Sequence, residues 1–372
     1  MKLVVPRELY ENESRVSITP DIVPSLKKMG FKVFIQSNAG LGSSYTDEDY
    51  KKSGAVISTK LNELYSKADL VIKVQRPSKH KVTDEFKFLK NCNLITLLYE
   101  QKFKTEFSSL KKLNINVFAL EKMPRISRAQ SMDVLSSQSN LSGYKAVIDA
   151  ASLFNKAFPL MMTSAGTVAP AKVLVIGAGV AGLQAIATAK RLGAVVSSFD
   201  VRASTKEQVE SLGAKFIQVE EKGDSGETAA GYAKEMSASY KKKQAKLLED
   251  SITKTDIVVT TALIPGKPAP KLITKKMVES MKVGSVIIDL ASEFGGNCEL
   301  TKHGEVVDHK SKKIVGPTNL PSTVSQDSSR LFAKNVINFL MNSCESGKFS
   351  DFNWADEVVK ETCVVQNLKK RK

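Results

Sequence analysis

Cysteine is scarce in this 372-residue sequence, and the four cysteines that occur lie far apart, at positions 92, 298, 344 and 363. They form no CxxC pair and no cluster with the three histidines. This pattern excludes a disulfide framework and gives no zinc-ligand spacing, so it indicates a reducing compartment. We predict no metal site.

Long apolar runs are also missing, because no stretch reaches the roughly 18 apolar residues of a membrane-spanning helix. The first residues meet proline and charge too early for a signal peptide. The chain has neither the GxSxG elbow of hydrolases nor a P-loop, which leaves hydrolase and kinase functions without support. With 42% hydrophobic and 25% charged residues, the composition is that of a globular protein of two or three domains.

Acidic residues are the minority, 39 against 55 basic ones, for a net charge of +16. Nine of the basic residues are arginine, and the excess is spread along the chain. Nucleic-acid readers typically gather arginine in a patch, so we predict no nucleic-acid partner. We interpret the excess as a solvated, lysine-rich surface; attraction to an acidic partner or an anionic membrane face is the alternative.

Short apolar runs alternate with amphipathic stretches along most of the chain. The pattern predicts an α/β fold with two doubly wound, Rossmann-like domains, built on parallel sheets and joined by long helices around an interdomain cleft. The N-terminal domain takes residues 1–135 and 325–372, because a final helix near 326–342 is expected to return to it before a polar tail. The second domain covers 136–324 and begins with a connecting helix at 136–158, which a proline-bounded connector follows.

A nucleotide-binding pattern opens the second sheet. The apolar run 172–176 leads into GxGxxG, with glycines at Gly177, Gly179 and Gly182, and a helical pattern follows at once. The first glycine permits a tight turn, and the second lets the backbone approach a pyrophosphate at the helix N-terminus. The third lets the helix pack close to the sheet.

An acidic residue, Asp200, closes the next predicted strand, 18 residues after Gly182. A carboxylate at this point accepts hydrogen bonds from the adenosine ribose and repels a 2′-phosphate. The sequence therefore predicts NAD rather than NADP. Arg202 is a caution, because an arginine near this position can accommodate that phosphate.

Two further segments are candidates for the ligand crevice. The Gly- and Ala-rich stretch 220–236 is long enough to be a lid in which Tyr232 and Met236 cover a nucleotide, although a plain surface excursion is the alternative. Ala262 and Leu263 follow the fourth strand of the domain, and the ends of parallel strands face the ligand crevice.

A second constellation lies between the two predicted domains. The segment RISRAQSMD, from Arg125 to Asp133, brings two guanidinium groups, an amide and a carboxylate into nine residues. Clefts between domains are favoured ligand sites, so these groups are candidates to position a carboxamide and a ribose. The alternative is a helix N-terminus capped by Ser131 or Asp133, with solvated arginines.

With these motifs the chain resembles the NAD(H)-binding alpha subunits of proton-translocating transhydrogenases, in the form that is a separate subunit. Residues 125–140, 171–202 and 260–266 carry the match, and the first stretch is the most specific. The resemblance implies that the nicotinamide end of NAD(H) is held by Arg125, Gln130, Asp133 and Ser136, with Ser127 in the same loop. It also implies a mobile loop at 220–243 and cofactor contacts at Val180, Asp200, Val201, Arg202, Gly231 and Leu263.

The resemblance further implies the assembly and the reaction. Such a chain is a homodimer that works with a membrane alpha subunit 2 and an NADP(H)-binding beta subunit. Hydride passes directly between NAD(H) on this chain and NADP(H) on the partner, and the exchange is coupled to proton translocation. The expected location is cytoplasmic and peripheral on the inner membrane.

The sequence is also similar to alanine dehydrogenase, whose substrate-binding residues match Arg15 and Lys73. The catalytic histidine of that family is expected near 96–99, where this chain has Tyr99. Amino-acid oxidation needs a general base with a pKa near 7, whereas hydride transfer between two nicotinamides needs only geometry and the exclusion of water. The sequence therefore favours the transhydrogenase function over an amino-acid dehydrogenase or a non-catalytic NAD-binding module.

Overall fold

The structure is a computed structural model that describes residues 1–80, 83–219, 236–264 and 267–368. The chain divides into two compact units, Met1–Gln138 with Pro321–Lys372, and Ser139–Leu320. Within the described ranges, no helix is both long and apolar enough to cross a membrane.

The first unit is built on a seven-stranded sheet. Its strands are β1 (Lys2–Val5), β2 (Lys32–Gln36), β3 (Val56–Ser58), β4 (Leu70–Gln75), β5 (Asn93–Leu97), β6 (Asn116–Ala119) and a C-terminal strand (Cys363–Gln366). The order is C-terminal strand, β6, β5, β4, β1, β2, β3, and all pairs but the first are parallel. The central strands are buried on both faces, which explains their nearly unbroken apolar sequences.

Helices cover both faces of this sheet. They are α1 (Val23–Lys28), α2 (Asp47–Lys52), α3 (Leu61–Tyr65), α4 (Lys104–Lys111), a long helix Ser325–Met341 and a short one, Glu357–Thr362. Phe118 of β6, Phe339 and Phe352 are buried together in the core. The polar tail expected after the long helix is wrong, because the chain continues into Glu357–Thr362 and the C-terminal strand, which pairs antiparallel to β6.

The second unit has a seven-stranded sheet and a separate hairpin. The hairpin strands are β7 (Met161–Thr163) and β8 (Gly166–Val168), which the sequence presented only as a connector. The sheet strands are β9 (Lys172–Ile176), β10 (Val195–Phe199), β11 (Lys215–Ile217), β12 (Ile257–Thr260), β13 (Val286–Asp289), β14 (Val306–Asp308) and β15 (Lys313–Val315).

The sheet order in this unit is β11, β10, β9, β12, β13, β15, β14. All pairs are parallel except β14 with β15, so both large sheets are mixed and not the purely parallel sheets that the sequence predicted. The order reverses between β9 and β12, which is the point where open α/β sheets bind their ligands. The helices are α5 (Val134–Leu153), within which the boundary between units falls, α6 (Val180–Arg191), α7 (Lys206–Ser211), α8 (Ala238–Ile252) and α9 (Lys275–Ser280).

Candidate functional site

The turn between β9 and α6 explains two of the three glycines by packing. Gly177 has a φ of +101°, and its N–H donates to the Phe199 carbonyl at 2.8 Å, tying the turn to the end of β10. At Gly182 a Cβ atom would overlap the carbonyl oxygen of Gly177, so only glycine lets α6 approach the turn this closely. Both glycines are therefore required by the fold itself.

Gly179 is different, because a Cβ built there meets no heavy atom within 4 Å. Its φ of −78° and ψ of −171° are accessible to any residue. It is the N-cap of α6, and no side chain caps that helix end, so the first N–H groups of α6 face the open space. A helix N-terminus with room for close approach is suited to a pyrophosphate.

Asp200 lies directly beside this turn and is nearly buried, with a side chain 4% exposed. Its Oδ2 accepts the N–H of Ala178 at 2.7 Å, which links the end of β10 to the glycine turn. The Arg202 guanidinium also binds the carboxylate, with Nη2 at 2.8 Å from Oδ2 and Nε at 3.0 Å from Oδ1. The structure thus brings the predicted acidic residue, its cautionary arginine and the turn into one group.

The end of β12 completes this edge. The Thr261 hydroxyl donates to the Gly177 carbonyl at 3.1 Å, so the loop holding Ala262 lies against the turn. Asn297, to which no sequence motif pointed, is fully buried and clasps Ala262 from both sides. Its Oδ1 accepts the Ala262 N–H at 3.0 Å, and its Nδ2 donates to the Ala262 carbonyl at 2.9 Å and to that of Pro270 at 2.9 Å.

Apolar side chains are exposed at the same edge. Val180, at the start of α6, is 41% exposed and Leu263 is 39% exposed, while Val201 packs partly buried beside the core. A backbone cradle for phosphate, a carboxylate for ribose hydroxyls and apolar surface for a flat ring are the parts that a dinucleotide requires. The described residues therefore fit NAD(H). Gly231, Tyr232 and most of the predicted 220–243 loop lie outside the described residues.

The RISRAQSMD segment belongs to the first unit and forms a 3-10 helix, Ser127–Met132. Ala129 and Met132 are buried and anchor it in the core. Arg125, Ser127 and Gln130 are exposed, and no hydrogen bond of the Gln130 amide is found among the described residues. The anchored loop thus leaves a polar amide directed away from its own core contacts.

Neighbouring side chains fix this loop. Asp133 accepts the Ser136 N–H at 3.0 Å and the Ser136 hydroxyl at 2.5 Å, so it caps α5 as the structural alternative predicted. Arg128 forms a bidentate pair with Asp356, at 2.8 and 3.2 Å, and Asn335 donates to the Ser131 carbonyl at 2.8 Å. The first unit therefore holds the segment rigidly from its C-terminal part.

Arg15 and Lys73 lie in a buried network of charges. Arg15 Nε and Nη2 donate to the two carboxylate oxygens of Glu13 at 2.7 and 2.6 Å, and Nη1 donates to Gln138 at 2.8 Å. Lys73 Nζ is 2.6 Å from Glu85 and 3.3 Å from Glu8. All of these charged side chains are at most 4% exposed, so each cation is matched inside the protein, as buried charges require.

The pKa values follow from this burial and pairing. Burial alone would lower the pKa of Lys73, but Glu8 and Glu85 outweigh it and raise that pKa above its usual value. Burial likewise opposes the charge of Arg15, yet Glu13 raises its pKa. Burial raises the pKa of Glu8 to about 7, against the opposing pull of Lys73.

Tyr99 takes the left-handed backbone conformation, with a φ of +50°. The N–H groups of Leu98 and Tyr99 both donate to the carboxylate of Glu121, at 3.0 Å for Leu98. Burial raises the pKa of Glu121, which these backbone donors counteract. In the described ranges, no three His, Cys, Asp or Glu side chains converge as a metal site would require.

Both halves of the chain match known family models. Residues 4–142 match "Alanine dehydrogenase/PNT, N-terminal domain" and residues 146–371 match "Alanine dehydrogenase/PNT, C-terminal domain". Over 99% of its length the chain is 53% identical to an NAD(P) transhydrogenase subunit alpha of Rhodospirillum rubrum, of which it covers 97%.

Two further relatives agree with this match. An NAD(P) transhydrogenase subunit alpha of Rickettsia prowazekii is 46% identical, with 99% of this chain and 96% of that protein covered. The crystal structure of transhydrogenase from Sinorhizobium meliloti gives a TM-score of 0.89 at 44% identity and covers 99% of both chains.

Proposed function

Since the chain belongs to the alanine dehydrogenase/PNT family, and within it to the alpha subunits of NAD(P) transhydrogenase, we propose that it binds NAD(H) for direct hydride transfer to or from NADP(H) on a partner subunit. The observation that carries the proposal is the edge of the second sheet. There the open space at Gly179, the α6 N-terminus and Asp200 lie together at the reversal of strand order.

The proposed roles of the second unit follow from its contacts. Gly177, Gly179 and Gly182 form the turn on which the pyrophosphate rests, and Asp200 with Val201 and Arg202 faces the adenosine ribose. Val180, Ala262 and Leu263 supply apolar surface for the adenine. Gly231 and Tyr232 are proposed cofactor contacts from the sequence.

The first unit is proposed to orient the reacting end. The roles go to Arg125, Gln130, Asp133 and Ser136, with Ser127 in the same loop. The nicotinamide supplies the hydride chemistry when it is bound, and the chain supplies position. This division is supported by the anchoring of the loop through Ala129 and Met132, with the Gln130 amide left exposed, because positioning accelerates a reaction only when the groups are held in place.

The buried network bears on the runner-up, an amino-acid dehydrogenase. Arg15 and Lys73, which match substrate-binding residues of that family, already bind Glu13, Glu8 and Glu85. The expected histidine near position 99 is replaced by Tyr99. These features favour a structural role for the two cations, in a chain that does not turn over an amino acid.

We also propose the assembly. The chain forms a homodimer and works with an NADP(H)-binding beta subunit and a membrane alpha subunit 2, which couple the exchange to proton translocation. It is then cytoplasmic and peripheral on the inner membrane. Support for self-association comes from the β7–β8 hairpin, where Met162 is 84% exposed beside the exposed Leu160 and Met161, because clustered exposed apolar side chains mark interfaces.

The decisive experiment mixes the purified chain with NADH, an NADP⁺ analogue of distinct absorbance and the NADP(H)-binding partner. We expect reduction of the analogue only when both proteins are present. Formation of NADH from NAD⁺ and alanine without a partner would instead support the amino-acid dehydrogenase. NADH binding without either reaction would leave a non-catalytic module.

A further inference from the structure

The hydrogen bonds around Asp200 leave its carboxylate fully engaged. Among the described residues, four N–H groups reach it. Oδ2 accepts Ala178 N at 2.7 Å and Arg202 Nη2 at 2.8 Å, while Oδ1 accepts Arg202 N at 2.8 Å and Arg202 Nε at 3.0 Å. A carboxylate has about four lone-pair directions, so this conformation leaves no acceptor position for a sugar hydroxyl.

The four donors differ in how readily they can leave. The Ala178 N–H belongs to the glycine turn and is buried, and the Arg202 N–H follows the end of β10, so both are fixed by the fold. The Arg202 guanidinium stands on a flexible stem, and its side chain is 16% exposed. A ribose that donates to Asp200 must therefore take the positions of Arg202 Nε and Nη2.

We propose that Arg202 is a specificity-determining residue that competes with the ribose of the dinucleotide for Asp200. The inference rests on the proposed function, because it takes NAD(H) as the ligand of this edge. The guanidinium holds the carboxylate until the ribose hydroxyls replace it, so part of the binding free energy is spent on breaking the pair. Arg202 therefore weakens NADH binding.

The same residue acts in the opposite direction on a phosphorylated ribose. A 2′-phosphate brought next to Asp200 places two anions together, and a displaced Arg202 remains close enough to offset that repulsion. Arg202 thus lowers affinity for NADH and relieves the penalty on NADPH. Its presence narrows the discrimination between the two nucleotides.

The test is equilibrium binding of NADH and of NADPH, measured by calorimetry on the full chain and on Arg202→Ala. We expect NADH to bind Arg202→Ala about fivefold tighter, which is the scale of a partly exposed ion pair. NADPH should bind no tighter than it does to the unaltered chain. The matched control is Arg191→Ala, which removes the same charge from the exposed far end of α6 and should leave both affinities unchanged.

Arg202→Lys is a second variant in case the alanine variant folds poorly. A lysine keeps the charge but lacks the fork that contacts both oxygens, so NADH should bind it with intermediate affinity. Equal or weaker NADH binding by both variants, with Arg191→Ala unchanged, would overturn the competition. Failure of the unaltered chain to bind NADH would instead overturn the proposed function, and this inference with it.

Discussion

The three glycines of the turn make separable predictions, and Gly179→Ala is the most informative change. The added methyl meets no heavy atom within 4 Å, and the backbone angles at this position suit alanine. The loss of chain entropy favours alanine by about 0.4–1 kcal/mol, while its poorer N-capping costs roughly 0.5 kcal/mol or more. We therefore expect the free energy of unfolding to change by less than about 1 kcal/mol.

NADH binding should respond very differently. The methyl group would fill the space in front of the α6 N-terminus, where the diphosphate is proposed to contact backbone N–H groups. An anion at a helix N-terminus gains up to about 2 kcal/mol, so its displacement should raise the Kd by roughly 10- to 30-fold. Fluorescence titration with NADH gives the Kd, and thermal unfolding of the same sample gives the stability.

Gly182→Ala is the matched comparison, because its Cβ would overlap the Gly177 carbonyl oxygen. Overpacking of this kind costs on the order of 1–3 kcal/mol, so this variant should lose stability as well as NADH binding. If Gly179→Ala bound NADH with unchanged affinity, the open space would not be the pyrophosphate site. If it unfolded as readily as Gly182→Ala, the distinction between the two glycines would be wrong.

Three further changes test other regions of the molecule. Gln130→Ala should slow hydride transfer far more than it weakens NADH binding; equal losses in stopped-flow rate and in affinity would contradict a positioning role. Glu8 has a pKa of about 7 in the folded chain, above its usual value, so it favours folding at low pH and this contribution is lost between about pH 4.5 and 7. Glu8→Gln should therefore flatten a decline of up to about 3 kcal/mol in urea unfolding across that window, and an unchanged slope would rule out this assignment. Met162→Asp should weaken self-association in sedimentation, whereas the matched surface change Val306→Asp on β14 should not; equal effects would argue against the hairpin as the dimer contact.

Local sequence signals were sufficient for the nucleotide edge. An apolar strand, three glycines and a helical pattern lie within twenty residues, and each reports a backbone requirement that acts over a few bonds. The contact between Asp200 and the Ala178 N–H follows from the same unit, because the first two parallel strands of such a sheet end side by side. Alternation of apolar and amphipathic stretches likewise predicted the two doubly wound sheets.

Contacts between distant segments were beyond the sequence. The strand Cys363–Gln366 is short and partly buried, and only its pairing with β6 gives it order. Asn297 resembles any polar loop residue until the fold brings it to Ala262. The buried carboxylates of Glu13 and Glu85 would pass for surface residues, because their burial depends on Arg15 and Lys73 rather than on local pattern.

That buried network also limits the chemistry that the first unit can perform. A general acid or base works best when its pKa lies near the operating pH. The pairing raises the pKa of both Lys73 and Arg15 above their usual values, which keeps both protonated. Glu8 is the member of the network with a pKa near 7, but its carboxylate is held by the Val74 N–H at 2.6 Å and by Lys73. A proton leaving Glu8 would create an additional buried negative charge beside Glu13 and Glu85, so the network resists proton turnover. Direct hydride transfer asks for no such proton, which is why the geometry of the glycine edge and of the Gln130 loop is sufficient for the proposed function.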